Sequence, residues 1–184
     1  NKEVWSKYDC MTVGECGNLS SDGALDYISQ GNNEIDMLFH FEIGKNVNII
    51  TVNEYKETEQ RWIDLMPHNT WITQFLTNHD SARQVSRFGN DQEHRVESAK
   101  LLALLTHTMP GTPFVYQGQE IGMINWRPER IEQYRDVQTI WNYHHSALNK
   151  TEEQRLKRQW RSARDNARTP VQWSDENNAG FTTA

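Results

Sequence analysis

The run Trp71-Ile72-Thr73-Gln74-Phe75-Leu76-Thr77-Asn78-His79-Asp80 decides the fold. Its first seven residues are rich in aromatic and β-branched side chains, the composition of a buried strand, and three polar residues then stop it. Working outward in both directions, the same design recurs. Pro113-Phe114-Val115-Tyr116-Gln117 runs into Gly118-Gln119-Glu120, Asp36-Met37-Leu38-Phe39-His40-Phe41 ends near Glu42, and Cys10-Met11-Thr12-Val13-Gly14 ends at Glu15. Longer stretches of helical character separate these strands, near 22–30, 54–66 and 91–108. In the last of them Val96, Ala99, Leu102, Ala103 and Thr106 recur at helical spacing, Asn90 and Glu93 have the form of a capping box, and Met109-Pro110-Gly111 stops the helix. Two polar helical stretches follow, 130–148 and 151–164, then a coil at 164–170 and a loop rich in Asn and Gly at 174–180.

Short apolar runs alternating with helices are the mark of βα units on a parallel sheet. A closed barrel of eight such units takes about 250 residues, and four units make half of one. An isolated half would leave two sheet edges unpaired and its interior open, so the chain is expected to be a piece of something larger.

Composition excludes several functions. With 184 residues, 36% of them hydrophobic and 24% charged, the chain reads as globular, without internal repeats or low-complexity tracts. No apolar run approaches the ~20 residues that cross a bilayer. A formal charge of −6 argues against nucleic acid or an anionic membrane as partner, whereas a neutral sugar is compatible. Cys10 and Cys16 flank one strand, where six steps of ~3.3 Å hold their Cα atoms ~20 Å apart, beyond the ~7 Å reach of a disulfide. Free thiols, together with an opening Asn1-Lys2-Glu3-Val4-Trp5 that lacks a signal-peptide pattern, give a cytoplasmic setting as the expectation, a leader upstream of Asn1 aside.

In parallel barrels the chemistry sits at the C-terminal ends of the strands. Glu15 follows Gly14 there, and Asp80 follows Asn78-His79. Two carboxylates converging on one pocket suit glycoside cleavage, where one donates a proton to the leaving oxygen and an anionic neighbour stabilises an oxocarbenium-like transition state. His144-His145 and His40-x-Glu42 have the composition of metal ligands, but no third group joins either, and they read as helix-face and strand residues.

Met11-Thr12-Val13-Gly14-Glu15 and Phe75-Leu76-Thr77-Asn78-His79-Asp80 resemble the third and fourth signature regions of glycoside hydrolase family 13, the α-amylase family. The oligo-1,6-glucosidase and α-glucosidase group of that family is the nearest likeness. Asn78-His79-Asp80-Ser81-Ala82-Arg83, Val85 to Asp91, Gly111-Thr112-Pro113, Tyr116 to Gly122, Ser162 to Trp173 and Asn178 to Thr182 all resemble it, in the right order and spacing.

The resemblance implies an α/β fold, the C-terminal half of a (β/α)8 TIM-type barrel carrying strands five to eight. Residues 1–173 would be that half and 174–184 a loop leading towards a C-terminal β-domain. It implies Glu15 as general acid/base and Asp80 as transition-state stabiliser. His79 would bind the same sugar, Arg168 would hold Asp80 or the sugar, and Phe41 and Arg83 would be wall or supporting groups of the substrate site. The family's nucleophile, an Asp after the fourth strand in a Gly-Phe-Arg-x-Asp type of motif, is absent, so the chain alone is expected to be inactive and to need the missing N-terminal half of the same polypeptide. No cofactor and no metal is implied. The implied activity is retaining, exo-acting hydrolysis of α-1,6- or α-1,4-linked gluco-oligosaccharides. Trehalose-6-phosphate hydrolase, sucrose isomerase and the non-catalytic heavy chains of amino-acid transporters are the alternatives within the resemblance.

Bland readings stand beside these roles. Glu15 could be an ordinary strand-end carboxylate, His79-Asp80 a turn-initiating Asp with a packed His, and Arg168 a partner of Asp165 or a loop cap. The Arg- and Glu-rich run at 152–164 is most simply a solvated helix face.

Overall fold

The computed structural model of the chain describes residues 3–29, 34–43, 51–66 and 70–183. It divides into two compact units, Asn1–Phe75 with Thr106–Phe114, and Leu76–Leu105 with Val115–Ala184.

The first unit carries strands β1 (Val13–Glu15), β2 (Met37–Phe39), β3 (Thr73–Gln74) and β4 (Thr112–Pro113). The first three expected strands are present but shorter than their apolar runs, and β4 starts one residue before the expected 113–117 and overlaps it only at Pro113. β1 pairs parallel with β2, Val13 opposite Met37 and Glu15 opposite Phe39, and β3 pairs parallel with β4, Thr73 opposite Thr112. The Thr73 hydroxyl donates to the Leu38 carbonyl at 2.8 Å and so ties β3 to β2. At the entry to the first pair, Asp36 accepts from both the amide and the hydroxyl of Thr12, at 2.6 and 2.7 Å, which sets the register. The amides of Thr112 in β4 and of Phe114 just after it donate to the carbonyls of Ile72 and Gln74. Pro113 falls at the intervening position, where the missing N–H faces away from β3 and costs the ladder nothing.

Helices α1 (Ser21–Ile28) and α2 (Val52–Ile63) cover one face of these strands. Ser20 caps α1 by accepting from the Gly23 amide, and Thr51 with Glu54 forms a reciprocal capping box on α2. Residue 30, the expected end of the first helix, lies outside the described residues. Ala24, Ile28, Leu38, Trp62, Leu65 and Ile72 form the core between helices and sheet. Trp62, only 1% exposed, is its largest member, and truncating it to Ala would cost about 3–5 kcal/mol. Gly14 lies opposite Leu38 in this layer; a Cβ there would stand 2.7 Å from the Ile35 side chain and 2.9 Å from that of Leu38.

Residues alternate across each strand, so the opposite face is also fixed. Leu38 and His40 turn to the helices, whereas Phe39 and Phe41 turn away. The Phe39 ring meets Phe75 at 5.2 Å and Phe114 at 4.6 Å, and Phe41 meets Phe75 at 5.5 Å, all edge-on. Glu15, in register with Phe39, belongs to this aromatic face at the C-terminal ends of the strands.

The second unit holds α3 (Gln84–Phe88), which the sequence reading missed, then α5 (Val137–His145) and α6 (Glu152–Ser162). Helix α4 (Arg95–Thr108) lies between them in the chain. It starts later than the expected capping box: Asn90 accepts from the Gln92 amide in a tight turn of its own instead. Of its expected inner face Leu102 and Thr106 are buried, but Val96 is exposed. Helices α5 and α6 cover shorter spans than 130–148 and 151–164, because a 3-10 turn at Ile131–Gln133 and a break after His145 interrupt the pattern. They pack on Ile131, Tyr134, Tyr143 and Ala163, and the outer face of α6 is solvated as expected. Among the described residues no helix is long and apolar enough to cross a membrane.

Candidate active site

Glu15 and Phe41 lie in the first unit, whereas His79, Asp80, Arg83 and Arg168 lie in the second. Glu15 is an exposed carboxylate in the last position of β1, next to Gly14 and on the aromatic face of the sheet. Phe41 is half-buried, held by the edge of Phe75.

The turn after β3 presents the second set. Asn78 accepts from the Asp80 amide at 2.9 Å and donates its own amide to the Ser81 hydroxyl at 3.1 Å. Thr77 closes the loop by donating its hydroxyl to the Ala82 carbonyl at 3.0 Å. With these bonds closing the turn, His79 and Asp80 project outward. The His79 side chain is 63% exposed, not packed, and Asn78 rather than Asp80 organises the turn. Its Nε2 stands 3.6 Å from Asp80 Oδ2.

Asp80 faces two cations. Arg168 donates from one terminal nitrogen to Asp80 Oδ1 at 2.8 Å and from Nε to the His79 carbonyl at 3.0 Å. Arg164 Nε lies 3.6 Å from the same Oδ1. The bland pairing of Arg168 with Asp165 is therefore not the one adopted by the side chains. Asp165 instead accepts from the amides of Arg135 and Asp136, at 2.6 and 2.9 Å. Arg168 reaches the sequence-distant Asp80 from a loop whose 3-10 turn, Arg164–Ala167, is buried at Asn166 and Ala167.

Arg83 supports that loop. It is 1% exposed, and its guanidinium is turned inward to main chain: Nε donates to the Asn166 carbonyl at 3.2 Å, and a terminal nitrogen donates to the Gln117 carbonyl. Burial lowers its pKa, partly offset by Tyr116 and Glu120, yet a guanidinium stays charged at any physiological pH. A side chain so placed keeps its guanidinium on protein acceptors. Asn125 completes the brace, accepting from the Arg83 amide at 2.8 Å and donating to the Trp160 carbonyl at 2.9 Å. Asn166 donates to the carbonyls of Gln159 and Trp160 as well.

Sequence reasoning missed Arg164, Asp136, Asn125 and Asn166. Only the helix-capping pattern of Asp136 before Thr139 was locally readable. Among the described residues no group of three His, Cys, Asp or Glu side chains could hold a metal ion, and both cysteines are free thiols. His40, one of the histidines weighed as a ligand, is buried and stacked on Trp62, with ring centroids 4.4 Å apart.

Comparison with known proteins gives the family. The alpha-amylase catalytic-domain family matches residues 1–184. The oligo-1,6-glucosidase of Bacillus cereus is 43% identical over 194 residues, covering 100% of this chain and 35% of that protein. The crystal structure of trehalose-6-phosphate hydrolase from Bacillus licheniformis superposes with a TM-score of 0.91 at 37% identity, over 99% of this chain and 35% of the other. Trehalulose synthase from Pseudomonas mesoacidophila MX-45 gives 0.89 at 34% identity, over the same shares. The chain thus spans about a third of the length of the relatives it matches, and it superposes on part of TIM-barrel enzymes. On sequence and structure together, the chain belongs to the α-amylase family, glycoside hydrolase family 13.

Proposed function

We propose that this chain is the acid/base-bearing part of a retaining, exo-acting α-glucosidase that cleaves short α-1,6- or α-1,4-linked gluco-oligosaccharides. Residues 1–173 supply strands five to eight of the barrel, 174–184 lead onward, and the remainder of the same polypeptide supplies the nucleophilic Asp. The observation that carries the reading is Asp80, displayed by the Asn78 turn and pinned by Arg168 and Arg164 at the exit of β3.

In this reading Glu15 protonates the glycosidic oxygen as the bond to C1 breaks, and then takes a proton from the water that attacks the glycosyl-enzyme. Asp80 accepts hydrogen bonds from ring hydroxyls of the glucose as positive charge develops at C1, and His79 binds the same sugar. Arg168 fixes the Asp80 carboxylate without neutralising it fully, since both remain partly open to solvent. Phe41 walls the site, and Arg83 holds the Arg168 loop. No cofactor enters the chemistry. A non-catalytic role is the weaker reading, because a scaffold has no use for an outward carboxylate braced in this way.

Similarity to trehalose-6-phosphate hydrolase supports a phosphorylated disaccharide as the second substrate class. The test is to express the complete polypeptide that carries these residues and follow isomaltose, maltose and trehalose 6-phosphate by proton NMR. Initial release of α-glucose from one of the two gluco-disaccharides is expected. Release of β-glucose would sink the retaining mechanism, and exclusive turnover of the phosphorylated sugar would move the substrate to the second reading.

A further inference from the structure

Arg168 has a third contact that the proposed chemistry does not use. Its remaining terminal nitrogen stands 3.7 Å from Asp136 Oδ1, and the Asp136 side chain is 8% exposed. The other oxygen of that carboxylate is fully engaged as the N-cap of α5, accepting from the Thr139 amide at 2.8 Å and the Thr139 hydroxyl at 2.7 Å. The Asp136 backbone is fixed in turn by Asp165, whose carboxylate accepts the Asp136 amide. Asp136 is thus an anchored anion with one oxygen left over, aimed at the guanidinium that holds Asp80.

We propose that Asp136 is a positioning residue for the reaction, acting through Arg168 to set the orientation of Asp80. Arg168 alone could swing with its loop; held between a buried anion and the His79 carbonyl, it presents one nitrogen to Asp80 in a single geometry. A carboxylate that must meet ring hydroxyls in the transition state gains from such preorganisation, because its orientation is then settled before the substrate arrives. The proposal rests on the glucosidase reading.

The test uses the complete polypeptide with Asp136→Asn, which keeps the N-cap through its oxygen and puts a neutral amide NH2 in place of the anionic oxygen facing Arg168. Asp136→Ser, a second neutral cap, guards against an effect peculiar to Asn. Both variants are expected to melt as the wild type does, to lose roughly 10- to 100-fold in kcat, the scale of a misplaced catalytic group, and to keep KM within a few-fold. Combined with Arg168→Met, Asp136→Asn should cost nothing further, because the two act through one contact. Wild-type kcat in the single variants, or losses that add in the double variant, would overturn the proposal. So would loss of cooperative melting in both, which would make Asp136 structural. If the wild-type polypeptide itself hydrolyses no α-glucoside, the glucosidase reading fails instead, and the two failures are told apart by the wild-type assay.

Discussion

His40 makes stability depend on pH in a direction that can be calculated. It sits at the end of β2, 4% exposed, stacked on Trp62, and its Nδ1 has no partner among the described residues. Desolvation lowers its pKa from 6.5 to about 4, and nearby Glu42 recovers only part of that. The unfolded chain therefore takes up a proton at a higher pH than the folded one. Stability is complete above the unfolded value and is lost as pH falls from about 6.5 towards about 4. For these two values the linkage relation gives a loss of about 2 kcal/mol between pH 7 and pH 5. His40→Phe keeps an aromatic ring against Trp62, removes the unpaired nitrogen and cannot titrate. Urea unfolding of the complete polypeptide at pH 7, 6 and 5 should show the wild type falling behind the variant by that amount, with equal denaturant slopes. Parallel loss in the two proteins would refute the argument and place the His40 imidazole in contact with water.

Two further outcomes are expected. Glu15→Gln should cost glucosidase activity about 10²- to 10⁴-fold on natural disaccharides and far less on aryl glucosides with good leaving groups, and equal losses in a steady-state comparison would remove Glu15 from the acid role. Gly118→Ala should destabilise by about 1–3 kcal/mol, read by thermal shift, because φ at this residue is +86° and the new Cβ would stand 2.8 Å from Nη1 of Arg83. Glucosidase activity should fall with it, since Arg83 braces the Arg168 loop.

Much of the fold was legible because apolar runs that end in polar residues mark parallel strands wherever they occur. Strand length was not, since periodicity cannot separate residues in a ladder from those that continue beyond it. Cys10 and Met11 are exposed before β1, and Thr77 is drawn out of β3 by its bond to Ala82. Helix α3 escaped because five residues are too few to show a period. At the site, His79 and Asp80 could be read from the chain because a local Asn78 turn displays them. The choice of Arg168 between Asp80 and Asp165, the inward turn of Arg83 and the second oxygen of Asp136 could not. Each is settled by a tertiary contact, and a single sequence records none of them.

The Asp80–Arg168 pair spans 88 positions and the Arg83–Asn166 brace 83. Closing a loop of that length costs about 4 kcal/mol of chain entropy, shared by these two nested contacts, and the solvent-exposed Asp80–Arg168 ion pair returns much less. The Asp80–Arg168 pair is therefore expected to form after the more local helices α3, α5 and α6 rather than to nucleate the unit. Asp80 is expected to meet its cation late, because a nascent chain holds Asp80 without Arg168 while the 88 positions between them are made, on the order of 4–18 s at ~5–20 residues per second. Substitutions at Asn166 or elsewhere in the 3-10 turn are consequently expected to slow the formation of this arrangement in a protein whose helices have already formed.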